Sequence, residues 1–190
     1  MLFNNKEFYT KSIQQYGISP QGVHWNSKYS QYKRFEILTS FINNIDKITL
    51  LDAGCGFGEY YNFLKKNNLT PKKYIGIDCE EDMIRIATKR FPTQQFFLKN
   101  ILYDKLPNVD YIICSGTLNL LTIKECEIVI SKCITASKQG FIFNYLKNTT
   151  FTNISKKQIL DIVYKYTTNI KIKENYLEND FTIDIKKRFL

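Results

Sequence analysis

The sequence predicts an α/β fold built on a mostly parallel sheet with helices on both faces. Short apolar runs, typical of buried strands, alternate along the chain with segments whose apolar residues recur at helical spacing. Most strand-to-strand connections therefore contain a helix, which is the connection that parallel strands need. Residues 175–180, by contrast, join the last two strand-like stretches directly. That short connection predicts an antiparallel pair at the C-terminal end of the sheet.

Seven strands and five helices account for this alternation. The strands are predicted at 48–52, 74–78, 95–98, 109–114, 140–145, 168–174 and 181–188. The helices are predicted at 30–43, 57–67, 80–90, 122–137 and 155–166. We expect a single domain overall, in which residues 1–43 form an N-terminal cap or lid with the first helix and residues 44–190 form the core.

The composition indicates a globular protein and leaves two explanations for its charge. Hydrophobic residues make up 44% of the 190 residues, and no apolar run approaches the roughly 18 residues that span a bilayer, so we expect no membrane span. The net charge of +9 is compatible with a nucleic-acid partner. However, 23 of the 27 basic residues are lysines, and residues 106–146 carry no net charge. A coding bias that enriches lysine over the whole surface explains this pattern better than a binding patch.

The cysteines and the histidine do not form a metal-binding pattern. The five cysteines include no C-x-x-C pair, and His24 is the single histidine, so we expect no metal site. An odd number of thiols and a start that lacks the pattern of a secretory signal predict a cytoplasmic protein.

The strongest functional signal is a glycine-rich loop directly after the first predicted strand. Residues 52–58 read D-A-G-C-G-F-G. Glycines there let a ligand approach the backbone at the carboxyl ends of the strands. The dinucleotide fingerprint G-x-G-x-x-G does not fit, because Glu59 and Tyr61 stand at its third glycine position. The spacing D-x-G-x-G-x-G instead resembles motif I of the class I S-adenosylmethionine-dependent methyltransferases.

The resemblance extends beyond the loop, since an acid, a methionine, an Asn-Ile pair and a Ser-Gly pair follow at the spacing of that family. It implies a Rossmann-like three-layer sandwich with a seven-stranded sheet, and S-adenosyl-L-methionine as the cofactor. The cofactor-binding residues it implies are Arg34, Asp52, Ala53, Gly54, Cys55, Gly56, Gly58, Asp78, Cys79, Met83, Asn100, Ile101, Ser115 and Gly116.

Several of these residues have a simpler structural alternative. Asp78 can accept hydrogen bonds from both ribose hydroxyls or cap the following helix. Met83 stands where the family packs an apolar side chain on the adenine, and core packing is the alternative. Asn100 replaces the usual aspartate of the family but keeps an oxygen that can accept a hydrogen bond from the adenine amino group.

Two charged residues are expected at the methionine end of the cofactor. Arg34 can hold its carboxylate with two hydrogen bonds, or form a surface ion pair with a nearby acid. Asp52 would fix the methionine end or serve as an acceptor in the turn after the strand. Cys55, Cys79 and Cys114 are expected near this site as small buried residues.

The acceptor site is less well defined by the sequence. His24 is a candidate general base, with a surface or packing role as the alternative, and Asn119 is a second catalytic candidate. The aromatic residues predicted to line the acceptor pocket, unless they simply pack in the core, are Trp25, Tyr29, Tyr145 and Tyr176. The segments around Trp25, Ser115 and Asn175 also resemble a group of small bacterial methyltransferases that has no assigned substrate.

Three functional hypotheses follow. We expect methyl transfer to a small-molecule acceptor. The alternatives are methylation of RNA or protein through the basic surface, and a non-catalytic cofactor-binding partner subunit. The motif [DN]-P-P-[YFW] does not follow the fourth strand, which argues against methylation of the amino nitrogen of adenine or glutamine.

Overall fold

The computed structural model describes residues 27–147 and 153–187. The helices are α1 (Lys28–Ser40), α2 (Glu59–Lys66), α3 (Glu81–Arg90), α4 (Ile123–Ala136) and α5 (Lys156–Tyr164). The strands are β1 (Thr49–Ala53), β2 (Lys73–Asp78), β3 (Gln95–Leu98), β4 (Val109–Ser115), β5 (Ser137–Leu146), β6 (Ile170–Glu174) and β7 (Asp180–Lys186). Short 3₁₀ helices cover Ile45–Lys47 and Thr117–Leu120.

Within the described residues the strands form one seven-stranded sheet in the order β3-β2-β1-β4-β5-β7-β6. The pairs among β1 to β5 are parallel, whereas β7 runs antiparallel to both β5 and β6. This arrangement confirms the predicted Rossmann-like α/β fold with an antiparallel C-terminal hairpin. The strand order reverses between β1 and β4, so their carboxyl ends leave a crevice of the kind in which open α/β sheets bind ligands.

Each face of the sheet supports its own hydrophobic core. Neighbouring residues of β1 show the separation, since Leu50 packs with α1 and α2 on one face and Leu51 packs with α4 and α5 on the other. Both side chains are fully buried, as alternation along a strand between two helical layers requires. A ring pair between Phe35 of α1 and Tyr60 of α2, with centroids 5.1 Å apart, strengthens the first of these cores.

Side-chain caps explain where three helices begin. Thr122 and Glu125 form a capping box at the start of α4, and Ser155 and Gln158 form another at the start of α5. Ser27 caps α1, which therefore begins two residues earlier than the hydrophobic pattern predicts. α2 begins two residues later than predicted, because Gly58 before it has a left-handed backbone with φ of 74°.

The two edge strands differ in their side chains. β6 exposes Lys171 and Lys173, and charged residues of this kind discourage further strand pairing. At the opposite edge, β3 exposes Phe97 and Leu98, and nearby Tyr103 is 77% exposed. None of the described helices is long and apolar enough to cross a bilayer.

Candidate functional site

The glycine-rich loop turns sharply at the carboxyl end of β1. Gly54, Gly56 and Gly58 all have left-handed backbones, with φ of 84°, 50° and 74°, a region that side-chain-bearing residues rarely adopt. The turn aims the amides of Gly54 and Cys55 at the carbonyl oxygen of Ile77, at 2.8 and 2.9 Å. The loop is therefore tied to the end of the neighbouring strand β2.

Asp78 ends β2 and holds the loop from the other side. Its Oδ2 accepts a hydrogen bond from the Gly56 amide at 2.9 Å, and its Oδ1 accepts one from the Glu80 amide at 3.0 Å. Burial raises the pKa of Asp78, and these hydrogen bonds act in the opposite direction. Asp78 therefore holds the turn before α3 and does not cap the helix itself, whose N-cap residue is Glu80. Each carboxylate oxygen keeps a further lone pair, so the ribose role stays a prediction.

Asp52 lies in β1, the strand beside β2, and its side chain is buried. Its Oδ2 accepts a hydrogen bond from the Tyr74 hydroxyl at 2.5 Å. Burial raises the pKa of Asp52 to about 7, the Tyr74 hydrogen bond opposes this, and the charge of Asp78 adds to it. Asp52 can therefore change its charge near neutral pH, which an exposed aspartate does not do.

The segment after β4 packs directly on the glycine loop. The Thr117 hydroxyl donates to the carbonyl oxygen of Ala53 at 3.1 Å, and a Cβ added to Gly54 would overlap Thr117 Oγ1. Gly116 has φ of 82°, and its amide donates to Asn144 Oδ1 at 2.9 Å. The buried hydroxyl of Ser115 has no hydrogen-bond partner within the described part of the chain.

A second set of polar contacts holds the helices around the loop. Glu59, the first residue of α2, accepts hydrogen bonds from Tyr32 and Asn62 at 2.8 Å each and pairs with Arg90 at 2.7 Å. Arg90 also donates to the carbonyl oxygen of Phe57 in the loop at 2.8 Å. Burial raises the pKa of Glu59, but the hydrogen bonds from these partners outweigh it and lower the pKa overall. Glu59 thereby joins α1, α2 and α3 beside the loop.

Arg34 meets an acid of the chain itself. Its Nε and Nη2 donate to the two carboxylate oxygens of Asp180, at 2.5 and 2.8 Å. Both side chains are buried, so the alternative of an ion pair is correct and its expected place on the surface is wrong. The reason is that α1 packs beside the start of β7. Contact of Arg34 with the cofactor stays a prediction.

The three predicted adenine contacts differ in their surroundings. Met83 is buried, and Ile101 is buried with the core that includes Leu51. Asn100 Oδ1 accepts a hydrogen bond from the Leu102 amide at 2.9 Å, which orients its side chain within the turn. Cys79 is exposed, so the expectation of a buried thiol is wrong there, because the residue lies outside β2 where the chain turns into α3.

The acceptor candidates that the structure describes differ in burial. Tyr29 is 71% exposed and does not line an enclosed pocket in the described structure, since it lies on the outer side of α1. Tyr145 is fully buried, with its ring centroid 5.9 Å from that of Phe181, and so occupies the core, the simpler alternative. The Tyr176 hydroxyl lies 2.8 Å from Thr182 Oγ1.

Two further candidates bear on catalysis. Asn119 is buried, and its Oδ1 accepts a hydrogen bond from the Leu146 amide at 3.0 Å, which joins the 3₁₀ helix to the end of β5. His24 and Trp25 lie outside the described residues. No cluster of His, Cys, Asp and Glu suited to a metal ion occurs among the residues that are described.

Sequence reasoning missed Asn144, Asp180, Tyr74 and Thr117. Asn144 carries a usable signal, because an amide side chain within the apolar run of β5 is disfavoured unless its hydrogen bonds are satisfied. No such signal marks Asp180, Tyr74 and Thr117, since acids and hydroxyls at strand ends are common and the partners of these residues are distant in sequence.

Comparisons with known proteins point to one family. Residues 50–140 match the family model of a methyltransferase domain. Rv1506c of Mycobacterium tuberculosis, which is named as a methyltransferase, is 27% identical over 167 residues, covering 77% of this chain and 97% of the relative.

Solved structures share the fold. A TehB-like SAM-dependent methyltransferase from Corynebacterium glutamicum has a TM-score of 0.71 and 14% identity, covering 97% of this chain and 98% of that one. PH0226 from Pyrococcus horikoshii has a TM-score of 0.73 and 16% identity, covering 92% and 99%. Magnesium protoporphyrin IX methyltransferase from Synechocystis, solved with bound SAH, has a TM-score of 0.68 and 14% identity, covering 84% of each chain.

The packing of Gly54 against Thr117 predicts the effect of adding a single methyl group. We expect Gly54→Ala to lower the melting temperature by more than about 4 °C, because a left-handed alanine costs roughly 1–2 kcal/mol and its Cβ also overlaps Thr117 Oγ1. Thermal unfolding followed by circular dichroism measures this. When Thr117→Ala has removed the overlapping hydroxyl, Gly54→Ala should lower the melting temperature by less than it does in the wild type. A single variant that melts with the wild type would contradict the described packing.

Proposed function

We propose that this chain is a class I S-adenosylmethionine-dependent methyltransferase, in line with the methyltransferase family model and the relative that it matches, and that it transfers a methyl group from that cofactor to a small-molecule acceptor. The observation that carries the proposal is the meeting of three segments at the carboxyl ends of β1, β2 and β4. These are the glycine loop, the Asp78 carboxylate fixed on it, and the Ser115–Thr117 segment packed against it.

The residues of this site fit the cofactor. The left-handed glycines keep the loop free of side chains where a ligand must approach the backbone. The buried Ser115 hydroxyl, which lacks a partner in the described structure, offers a hydrogen bond beside that loop. The Asp78 carboxylate has lone pairs left for ribose hydroxyls, and Asp52 offers negative charge for the amino group at the methionine end.

The protein contributes orientation more than proton chemistry. S-adenosylmethionine, when bound, supplies a methyl group that its sulfonium sulfur already activates. Asp78, Asp52 and the glycine loop would hold the cofactor, and the Ser115–Thr117 segment would define the side from which an acceptor approaches. Holding the two reacting partners in line removes much of the entropic barrier, so no catalytic triad is required.

A small-molecule acceptor is supported by the surroundings of the Ser115–Thr117 segment. Near the ends of β4, β5 and β7, Asn119, Asn144 and Thr182 are uncharged and buried, and the buried charges of Asp180 and Arg34 are paired with each other. Residues 106–146 carry no net charge. Groups of this kind recognise a compact neutral molecule by hydrogen bonds, whereas a nucleic-acid backbone requires an array of cations.

The cofactor assignment predicts binding of S-adenosylhomocysteine, the product form. Isothermal titration calorimetry should show binding to the wild type. Asp78→Ala should weaken it about 10- to 100-fold, the loss expected for one or two hydrogen bonds to a charged group. Asp161→Ala on α5, which removes an exposed carboxylate paired with Lys157, is the matched control and should bind as the wild type does. Absence of wild-type binding at millimolar ligand would refute the assignment.

The raised pKa of Asp52 predicts that binding depends on pH. With a pKa of about 7, the ionised form that attracts an ammonium group predominates above pH 7 and is lost below it. Affinity for S-adenosylhomocysteine should therefore fall roughly five- to tenfold between pH 7.5 and 6.0. Asp52→Asn should bind weakly at both values, with a flat profile. A wild-type affinity that does not change over this range would exclude an ionised Asp52 from binding.

RNA is the second candidate acceptor, because the chain carries a net charge of +9. Fluorescence anisotropy of a labelled RNA over a salt series distinguishes an RNA acceptor from a small-molecule acceptor. A small-molecule enzyme should give a log–log slope shallower than about 2, since each phosphate contact contributes roughly 0.7–0.9. Lys171→Ala with Lys173→Ala on the exposed edge strand should leave that slope unchanged. A slope of about 5 or more that these substitutions reduce would favour RNA.

A further inference from the structure

Asn144 links the segment after β4 to Asp180 at the start of β7. It lies in the second half of β5, fully buried. Because the Gly116 amide can only donate, the atom that receives it must be Asn144 Oδ1, at 2.9 Å. The Asn144 amide nitrogen therefore faces Asp180 Oδ1, at 3.5 Å, and Asp180 is held by Arg34. These contacts form one buried chain, the Asn144 network, consisting of Arg34, Asp180, Asn144 and the Gly116 amide.

Stability alone does not account for this network. Burying a carboxylate and a guanidinium removes both from water, and well-packed apolar residues often give equal or greater stability. An asparagine inside an apolar strand is similarly costly unless its donors and acceptors are used. The network instead fixes the orientation of its side chains, because each member donates a hydrogen bond to the next or accepts one from it.

The network ends at the segment that packs on the glycine loop. Gly116 has a left-handed backbone, and the next residue, Thr117, donates to the carbonyl oxygen of Ala53 at 3.1 Å. Gly54 leaves no space between the loop and Thr117. A displacement of the Gly116 amide therefore moves the hydroxyl that contacts the cofactor loop.

We propose that Asn144 and Asp180, supported by Arg34, are positioning residues for the Ser115–Thr117 segment and thereby for the methionine end of the cofactor. The inference rests on the proposed function for its cofactor, and adds two residues that lie outside the glycine loop. It also gives Arg34 a role that needs no contact with the cofactor, since Arg34 acts through Asp180.

Exchanging the two side chains tests the proposal. Asn144→Asp places a second carboxylate against Asp180, and like charges repel at this distance. Asp180→Asn takes the charge from Arg34. The double variant Asn144→Asp with Asp180→Asn restores a donor facing an acceptor between these positions and keeps the total charge, but it loses the hydrogen bond from Arg34 Nε, which in the wild type donates to the same Asp180 oxygen as Asn144. Each single variant should weaken S-adenosylhomocysteine binding about tenfold by calorimetry, and the double variant should recover part of that loss.

A second measurement uses the protein without cofactor. Hydrogen exchange of the amides of residues 115–117 should be faster in both single variants and slower again in the double variant, because the Gly116 hydrogen bond is restored. Asp110→Asn is the matched control. It weakens the hydrogen bond that Asp110 accepts from the Thr49 amide, at 2.7 Å, at the opposite end of the sheet. The control should lower the melting temperature without changing affinity or exchange at 115–117.

The outcomes are separable. A wild type that does not bind S-adenosylhomocysteine would overturn the proposed function, and the exchange measurement would still decide whether Asn144 holds the segment. Single variants that bind and exchange like the wild type would overturn the positioning role. The same conclusion would follow if affinity fell only in proportion to melting temperature, with no recovery in the double variant.

Discussion

The left-handed backbone of the glycine loop is the constraint on which the site depends. Because Gly54 and Gly56 adopt it, consecutive amides turn toward the end of β2 and meet the Ile77 carbonyl and the Asp78 carboxylate. The same absence of side chains lets Thr117 close against the loop. Three strand ends are thus joined by backbone geometry, and side chains with other tasks can be placed around them. A ligand approaching this edge meets a backbone that is already fixed, which needs little reorganisation on binding.

Asp52 and Asp180 are both buried, and the burial of each has a different physical basis. Asp52 is tolerated because Tyr74 donates to it and because its raised pKa lets it take up a proton near neutral pH. Asp180 is tolerated because Arg34 neutralises it with two hydrogen bonds. The first arrangement lets the charge of Asp52 change, whereas the second pairs the charge of Asp180 with an opposite one. A site that binds a charged molecule and also holds its own segment in place uses both.

Local signals in the sequence were sufficient for the fold and for the glycine loop. Strand alternation, the loop spacing and the short final connection depend on neighbouring residues, which a single sequence displays. The Arg34–Asp180 pair joins residues 146 positions apart, and no local pattern selects that partner among 18 acids. The prediction that Cys79 is buried was also wrong, because the chain has already left the core one residue after the end of β2. Where helix packing decides a contact, the sequence alone cannot supply it.

The unequal edges of the sheet have a consequence for handling the protein. Lysines on β6 make addition of another strand there unfavourable, but β3 offers unpaired backbone beside exposed Phe97 and Leu98. Concentrated or partly unfolded chains will therefore aggregate from the β3 edge rather than from β6. A single lysine on β3 would give that edge the same protection.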